Sequence, residues 1–230
     1  MKTVWLILSK DVLVELRTRE VMLTMGLFGV LIVVIFAFTF QLGNDHVIKE
    51  VAPGIIWVTL AFSGNLGIAR VIDRERESGV MQALLLSPAG PATIFWAKAL
   101  GVFIFIVATQ LVVMPLALVF VGINAPAEGI LLLTGGIVLG ALGFALIGTL
   151  FGAMLADVRL REVLIPVIVF PIIIPVLIGG AELALIALAD QPPIDQTRLA
   201  ASARWMAIMG GFDLVYLALA PWLFQRVMVD

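Results

Sequence analysis

The chain contains no cysteine and a single histidine, His46. The first absence excludes disulfides, thiol redox chemistry and cysteine-ligated metal sites. The second excludes a multi-histidine metal cage and any His-based catalytic triad; His46 reads as a solvated loop residue rather than an axial haem ligand. Charge is scarce as well. Only 13% of the residues are Asp, Glu, Lys or Arg, against about a quarter in soluble domains. The net charge of −2 gives no field that would attract nucleic acid. No Walker phosphate loop, HExxH or Gly-x-Ser-x-Gly occurs, so the common nucleotide, metalloprotease and hydrolase signatures are missing. The N-terminus does not read as a signal peptide: Asp11, Glu15 and Glu20 interrupt it, and no short apolar run leads to a small-residue cleavage pattern.

What is present is apolar sequence. Hydrophobic residues make up 62% of the 230-residue chain and the mean hydropathy is +1.17. A length of this size accommodates six membrane-crossing helices of about 20 residues with short connections. The expected architecture is an all-α integral membrane protein, a single transmembrane domain over 1–230, with spans near 21–42, 52–69, 94–121, 129–155, 163–189 and 205–224. Residues 2–19 precede them with Trp5, Leu8, Val12 and Leu16 at helical spacing and Lys10, Asp11, Glu15, Arg17 and Arg19 on a polar side. This pattern predicts an amphipathic helix in the membrane interface, with Glu15 and Arg19 forming an i,i+4 ion pair; a charged leader preceding span one is the alternative.

Several spans carry marks of their own. Pro53 suits a helix start, since a first-turn proline sacrifices no hydrogen bond. Gly136, Gly140, Gly148 and Gly152 recur at multiples of four, a stripe that admits another helix closely. Pro166, Pro171 and Pro175 followed by Gly179 and Gly180 predict a kinked or broken fifth span. Basic residues fix the expected orientation. With the N-terminus inside, the inner segments hold Lys2, Lys10, Arg17, Arg19, Arg70, Arg74, Arg76, Lys98, Arg159, Arg161 and Arg226; the outer loops hold only Lys49, Arg198 and Arg204. Both termini are therefore expected in the cytoplasm.

Two polar features invite functional readings. The first is the island between spans two and three, 70–93, with six charges between Arg70 and Glu77. After it, Val80, Met81, Leu84 and Leu85 form one face of a short helix bounded by Pro88 and Pro91. Such a face has nothing of its own to bury against and fits a groove on a partner, with the charges fixing register. Arg74, Glu75, Glu77, Met81, Leu84 and Leu85 are the expected contact residues for a motor subunit, which must be a separate chain. The competing reading is a plain solvated loop. The second feature is a set of ionisable residues in apolar spans, Glu182, Arg204 and Asp213, expected in the outer half and close enough for Arg204 to pair with one of the acids or to line a polar route. Interfacial placement with water access is the alternative. Asn65 and Gln110 are read as interhelical hydrogen-bonding residues.

The run Val51-Ala-Pro-Gly-Ile-Ile-Trp-Val58, the charged strip after it, Gly79, Leu84-Leu-Leu-Ser-Pro88 and the Pro-rich stretch 170–178 resemble the haem exporter protein B family (CcmB). The resemblance covers the whole chain in length, span count and order. It implies an ABC-2-type permease, the membrane subunit of the ABC complex of cytochrome c maturation in the bacterial inner membrane. It further implies that 2–19 is the elbow helix and that 73–91 contains the coupling helix. The implied partners are a cytoplasmic ATPase (CcmA-like, in two copies) that holds the ATP, CcmC-like and CcmD-like membrane proteins, and the periplasmic haem chaperone (CcmE-like). Haem enters as a substrate; the sequence carries no haem-binding signature, so no ligands are assigned. An ABC-2-type export permease for a drug or lipid-linked molecule is the second reading. An intramembrane enzyme, with Glu182 and Asp213 as its only available acids, is the third.

Overall fold

The computed structural model describes residues 2–41, 45–77, 89–123, 125–156, 158–189 and 196–229; of these, the side chains of 41, 45–49, 76, 77, 228 and 229 are not described. Every regular element among them is helical: α1 (Lys2–Thr18), α2 (Glu20–Gln41), α3 (Asp45–Glu77), α4 (Pro91–Val121), α5 (Ala127–Met154), α6 (Arg161–Leu188) and α7 (Gln196–Val229). Six of them, α2 to α7, are long and apolar enough to cross a membrane. In hydrocarbon each backbone polar group must be satisfied within its own segment, which is why uninterrupted helices are the solution here.

Helix α5 occupies the centre, packed against α3, α4, α6 and α7; α3 in turn touches α2, α4 and α6. The glycine stripe explains the central seam. A Cβ at Gly148 would overlap Ile68, and one at Gly152 would overlap Ile72. Gly140, from α5, and Gly180, from α6, leave room for the indole of Trp57, which is buried where α3 meets both helices. Without a hydrophobic force between helices in lipid, close backbone approach and side-chain fit supply the association, and small residues permit it.

Helix α2 shows the same logic on the periphery. Val21, Met25, Gly29, Val33 and Ala37 face inward, while Leu23, Leu27, Leu31, Ile35 and Phe38 are exposed toward the expected lipid. Helix α6 stays continuous from Arg161 to Leu188 through all three prolines, so of the expected kink or break, the break does not occur. Pro171 and Pro175 lie on the exposed side, opposite Ile165, Val169, Ile173 and Val176, and the prolines' missing donors do not interrupt the buried face. The last helix begins at Gln196, nine residues before the apolar run at Trp205.

The elbow between α1 and α2 is a single residue. Arg19 has φ 55° and is the one described non-glycine residue with positive φ. That turn takes Arg19 out of α1, and the expected Glu15–Arg19 pair is replaced: Glu15 reaches other partners, and Arg19 is exposed. Helix α1 lies mainly against α4. Ile7, Leu8, Asp11 and Glu15 are its buried residues, and Trp5, Leu6, Leu13 and Leu16 point away from the protein, each more than half exposed. The apolar side thus faces out and two acids face in, the arrangement of a helix lying on a bilayer while its charges are neutralised beneath it.

Candidate coupling site

The ends of α3 and α5 and the starts of α2, α4 and α6 share one end of the bundle, together with α1. There the inward acids of α1 find their cations. Lys98, two turns into α4 and 4% exposed, donates to Asp11 Oδ2 at 2.8 Å and also pairs with Glu75 at the end of α3. Lys10 approaches the other Asp11 oxygen at 2.8 Å. One buried ammonium is therefore shared by two buried carboxylates from two different helices.

Glu15, 1% exposed, uses both of its oxygens. The Met22 N–H donates to Oε1 at 2.8 Å, and Arg74 Nη1 donates to Oε2 at 2.8 Å. Met22 lies in the first turn of α2, whose N–H groups have no intrahelical partner. Glu15 thus caps α2 from α1 while holding α3 by a charge-assisted bond. On the far side of α3, Asp73 Oδ1 accepts from Arg161 Nε at 3.0 Å and Nη2 at 2.6 Å, tying α3 to the first turn of α6. Arg161 Nη1 also donates to the Ala156 carbonyl at 3.4 Å.

These pairs have one geometric consequence. The segment 78–90 leaves from α3 just after Glu75 and enters α4 just before Lys98, and those two residues are bonded to each other. Asp73 and Arg74 brace the departing turn from both sides. The base of the segment is thereby fixed to α1, α2, α4 and α6 at once. Truncating one partner of a buried pair leaves a charge without that partner and costs about 3–5 kcal/mol.

Of the residues singled out in the sequence, Arg74 and Glu75 are drawn into this network, turned toward the protein. Met81, Leu84 and Leu85, and the side chain of Glu77, lie outside the described residues. Asp11, Glu15 and Lys98 were not among the expected site residues. The signal for Lys98 was its position as a lone cation in an apolar stretch, Ile94–Leu100, where an ionisable group implies a partner. Asp11 and Glu15, four apart on one helix face, were the matching acids.

The intramembrane set is not brought together. Arg204 is exposed, with its guanidinium 5.7 Å from the Trp205 ring centroid. Glu182 is half-buried on α6. Among the described residues no ion pair joins Arg204 to either acid. Asp213 lies near the middle of α7 rather than toward one end, 2% exposed, with neither carboxyl oxygen in reach of a hydrogen-bond partner. Asn65 Oδ1 and both side-chain polar atoms of Gln110 are likewise buried without partners. No group of His, Cys, Asp and Glu able to hold a metal occurs among the described residues.

Six apolar helices around a glycine-lined centre, braced at one end by ion pairs, define a helical membrane protein of the permease type. The chain belongs to the CcmB protein family: that family's profile matches residues 2–228. Its relatives include proteins named "Heme exporter protein B" in three bacteria. The one from Pseudomonas aeruginosa is 27% identical over 65% of this chain and 66% of its own length, just under two thirds. The Rhodobacter capsulatus protein is 26% identical over 77% of this chain and 80% of its own. The Paracoccus denitrificans protein is 27% identical over 76% and 75%.

Proposed function

We propose that the chain is the membrane-spanning subunit of an ABC-type complex that exports or hands over haem, working with an ATPase carried on a separate chain. The family and the name of its relatives support the haem assignment. The single structural observation that supports coupling is the Glu75–Lys98–Asp11 clamp at the base of the segment 78–90. In this reading both termini and the segment face the cytoplasm of a bacterial inner membrane, in accord with the 11-to-3 excess of Lys and Arg over the inner segments. A CcmA-like ATPase, in two copies, binds ATP and docks on Met81, Leu84 and Leu85. Arg74, Glu75 and Lys98 position the docking segment without touching the ATPase. ATP-driven closure of the ATPase pair then moves the segment, and the clamp passes that movement to α1, α3 and α4 together. On the outer side the movement serves haem transfer or release of the loaded CcmE-like chaperone, with CcmC-like and CcmD-like proteins alongside. Haem is cargo in this scheme, and no cofactor is resident in the chain.

The test is the double substitution Leu84→Asp with Leu85→Asp. The expected outcome is normal membrane insertion, loss of the co-purifying ATPase and loss of c-type cytochromes. Full ATPase recovery with normal cytochrome levels would overturn the docking assignment. A deletion strain that keeps its c-type cytochromes but loses resistance to an exported drug would move the chain to another substrate.

A further inference from the structure

Asp213 has no part in the clamp. Its carboxyl group sits near the midpoint of α7, pressed against α5 where Gly143 provides the space: a Cβ there would come within 2.6 Å of Oδ1. The same point on Gly143 is 3.6 Å from Val176 of α6 and 3.7 Å from Phe212, so the neighbours that share this space with the carboxyl are apolar. Neither oxygen has a hydrogen-bond partner. The charged groups on the neighbouring elements are far along their helices. Helix α5 carries Glu128 in its first turn; α6 carries Arg161 and Glu162 at its start and Glu182 near its end. On α4, Lys98 is engaged with Asp11 and Glu75. On α7 itself, Arg198, Arg204 and Arg226 lie fifteen, nine and thirteen residues away, and the titratable side chain nearest in sequence is Tyr216, one turn on, its ring tilted 40° to that of Phe212 at 4.8 Å.

An ionised carboxylate in such a place would carry an uncompensated charge, which is the most expensive condition a membrane interior offers. A cation would not solve the problem, since a hard cation asks for several oxygens and this site supplies one carboxyl group. The state compatible with the packing is the neutral acid. We infer that Asp213 is a proton-binding site in the α5–α7 seam: the acid is held with its proton while the seam is closed on Gly143, and the proton passes to water when the seam opens. The transfer is a simple ionisation, in which the O–H bond breaks, its electron pair stays on the carboxylate and water takes the proton. By linkage, a proton that prefers the closed seam biases the bundle toward it, so pH acts on the permease through this residue.

The experiment is infrared spectroscopy of the full-length chain in vesicles, comparing wild type with Asp213→Asn. The expected result is a carboxylic-acid C=O band in the wild type at neutral pH that is lost in the variant. Such a band belongs to a protonated carboxyl group. Absence of the band, or a band unaltered by the substitution, would overturn the inference and show an ionised Asp213 held by a countercharge. Should Asp213→Asn fail to fold, Asp213→Leu serves as the reference spectrum. A second readout is thermal stability between about pH 5 and about pH 9. A group protonated in the closed bundle stabilises it at low pH and loses that contribution as pH rises, so the wild-type melting temperature falls across this window relative to either variant. Parallel curves would overturn the linkage. Neither measurement depends on haem or on the ATPase, so failure here leaves the proposed function standing.

Discussion

The molecule keeps its buried polar groups in two places and treats them differently. At the clamped end, Asp11, Glu15, Asp73, Arg74, Glu75, Lys98 and Arg161 come from four helices, and each carboxylate meets a cation. In the middle of the bundle, Asp213, Gln110, Asn65 and Trp57 bury polar atoms that meet nothing. The first arrangement fixes geometry: every pair but Lys10–Asp11 spans two elements, so the helix ends hold one relative position. The second leaves groups whose needs are met only if something changes, by a proton or by repacking. The clamped end thus holds one arrangement, while the interior keeps groups that more than one arrangement could satisfy.

Three substitutions would break or sharpen that contrast. The largest effect is expected for Lys98→Met, which removes the buried ammonium shared by Asp11 and Glu75, leaving Lys10 on Asp11, and costs about 3–5 kcal/mol. It should appear as a steep drop in the melting temperature and in the amount of chain recovered from membranes. Combining it with Asp11→Asn and Glu75→Gln should restore most of the loss, and failure to do so would mean that the pairing is not what Lys98 contributes. Next is Glu15→Ala, which removes a helix cap and a partner of Arg74, for about 1–3 kcal/mol by equilibrium unfolding in detergent. Glu15→Gln, which retains an oxygen for the Met22 N–H, should recover the cap portion. The smallest is Asp213→Leu, expected to leave stability within about 1 kcal/mol of wild type or to raise it, because it removes a group without a partner and keeps similar bulk. A loss on the scale of Lys98→Met would erase the contrast, showing Asp213 to be as firmly paired as the residues of the clamp.

Much of the fold is legible in the sequence because lipid imposes length and hydropathy on each span. The six long apolar helices, the glycine stripe of α5 and the leading amphipathic helix all follow from pattern. The facing of the spans does not. Helix α2 is apolar on every side, and nothing in its hydropathy separates inward Val21, Met25 and Val33 from outward Leu23, Leu27 and Leu31. Size decides instead: a Cβ at Gly29 would lie 2.9 Å from Val113 and 3.3 Å from Thr59, so this is the side where neighbours fit. The prolines of α6 mislead for a related reason, since a break needs more than a missing donor when the buried stripe stays intact. At the clamp, the pairing of Glu15 with Arg74 rather than Arg19 is set by the left-handed turn at Arg19, a backbone feature that an arginine does not advertise. The charges themselves were visible; their partners, far apart in sequence, were not.

Those separations give the clamp a history as well as a shape. Arg74 lies 59 residues after Glu15, Lys98 lies 87 after Asp11, and Arg161 lies 88 after Asp73. As the chain leaves the ribosome, Arg74 becomes available to Glu15 once the third helix is made, Lys98 to Asp11 and Glu75 once the fourth arrives, and Arg161 to Asp73 last. The contacts that dock the amphipathic helix therefore become available in stages, and a nascent chain that stalls before Lys98 lacks the ammonium that joins α1 to α3 and α4. The order of synthesis thus sets the order in which the brace can close.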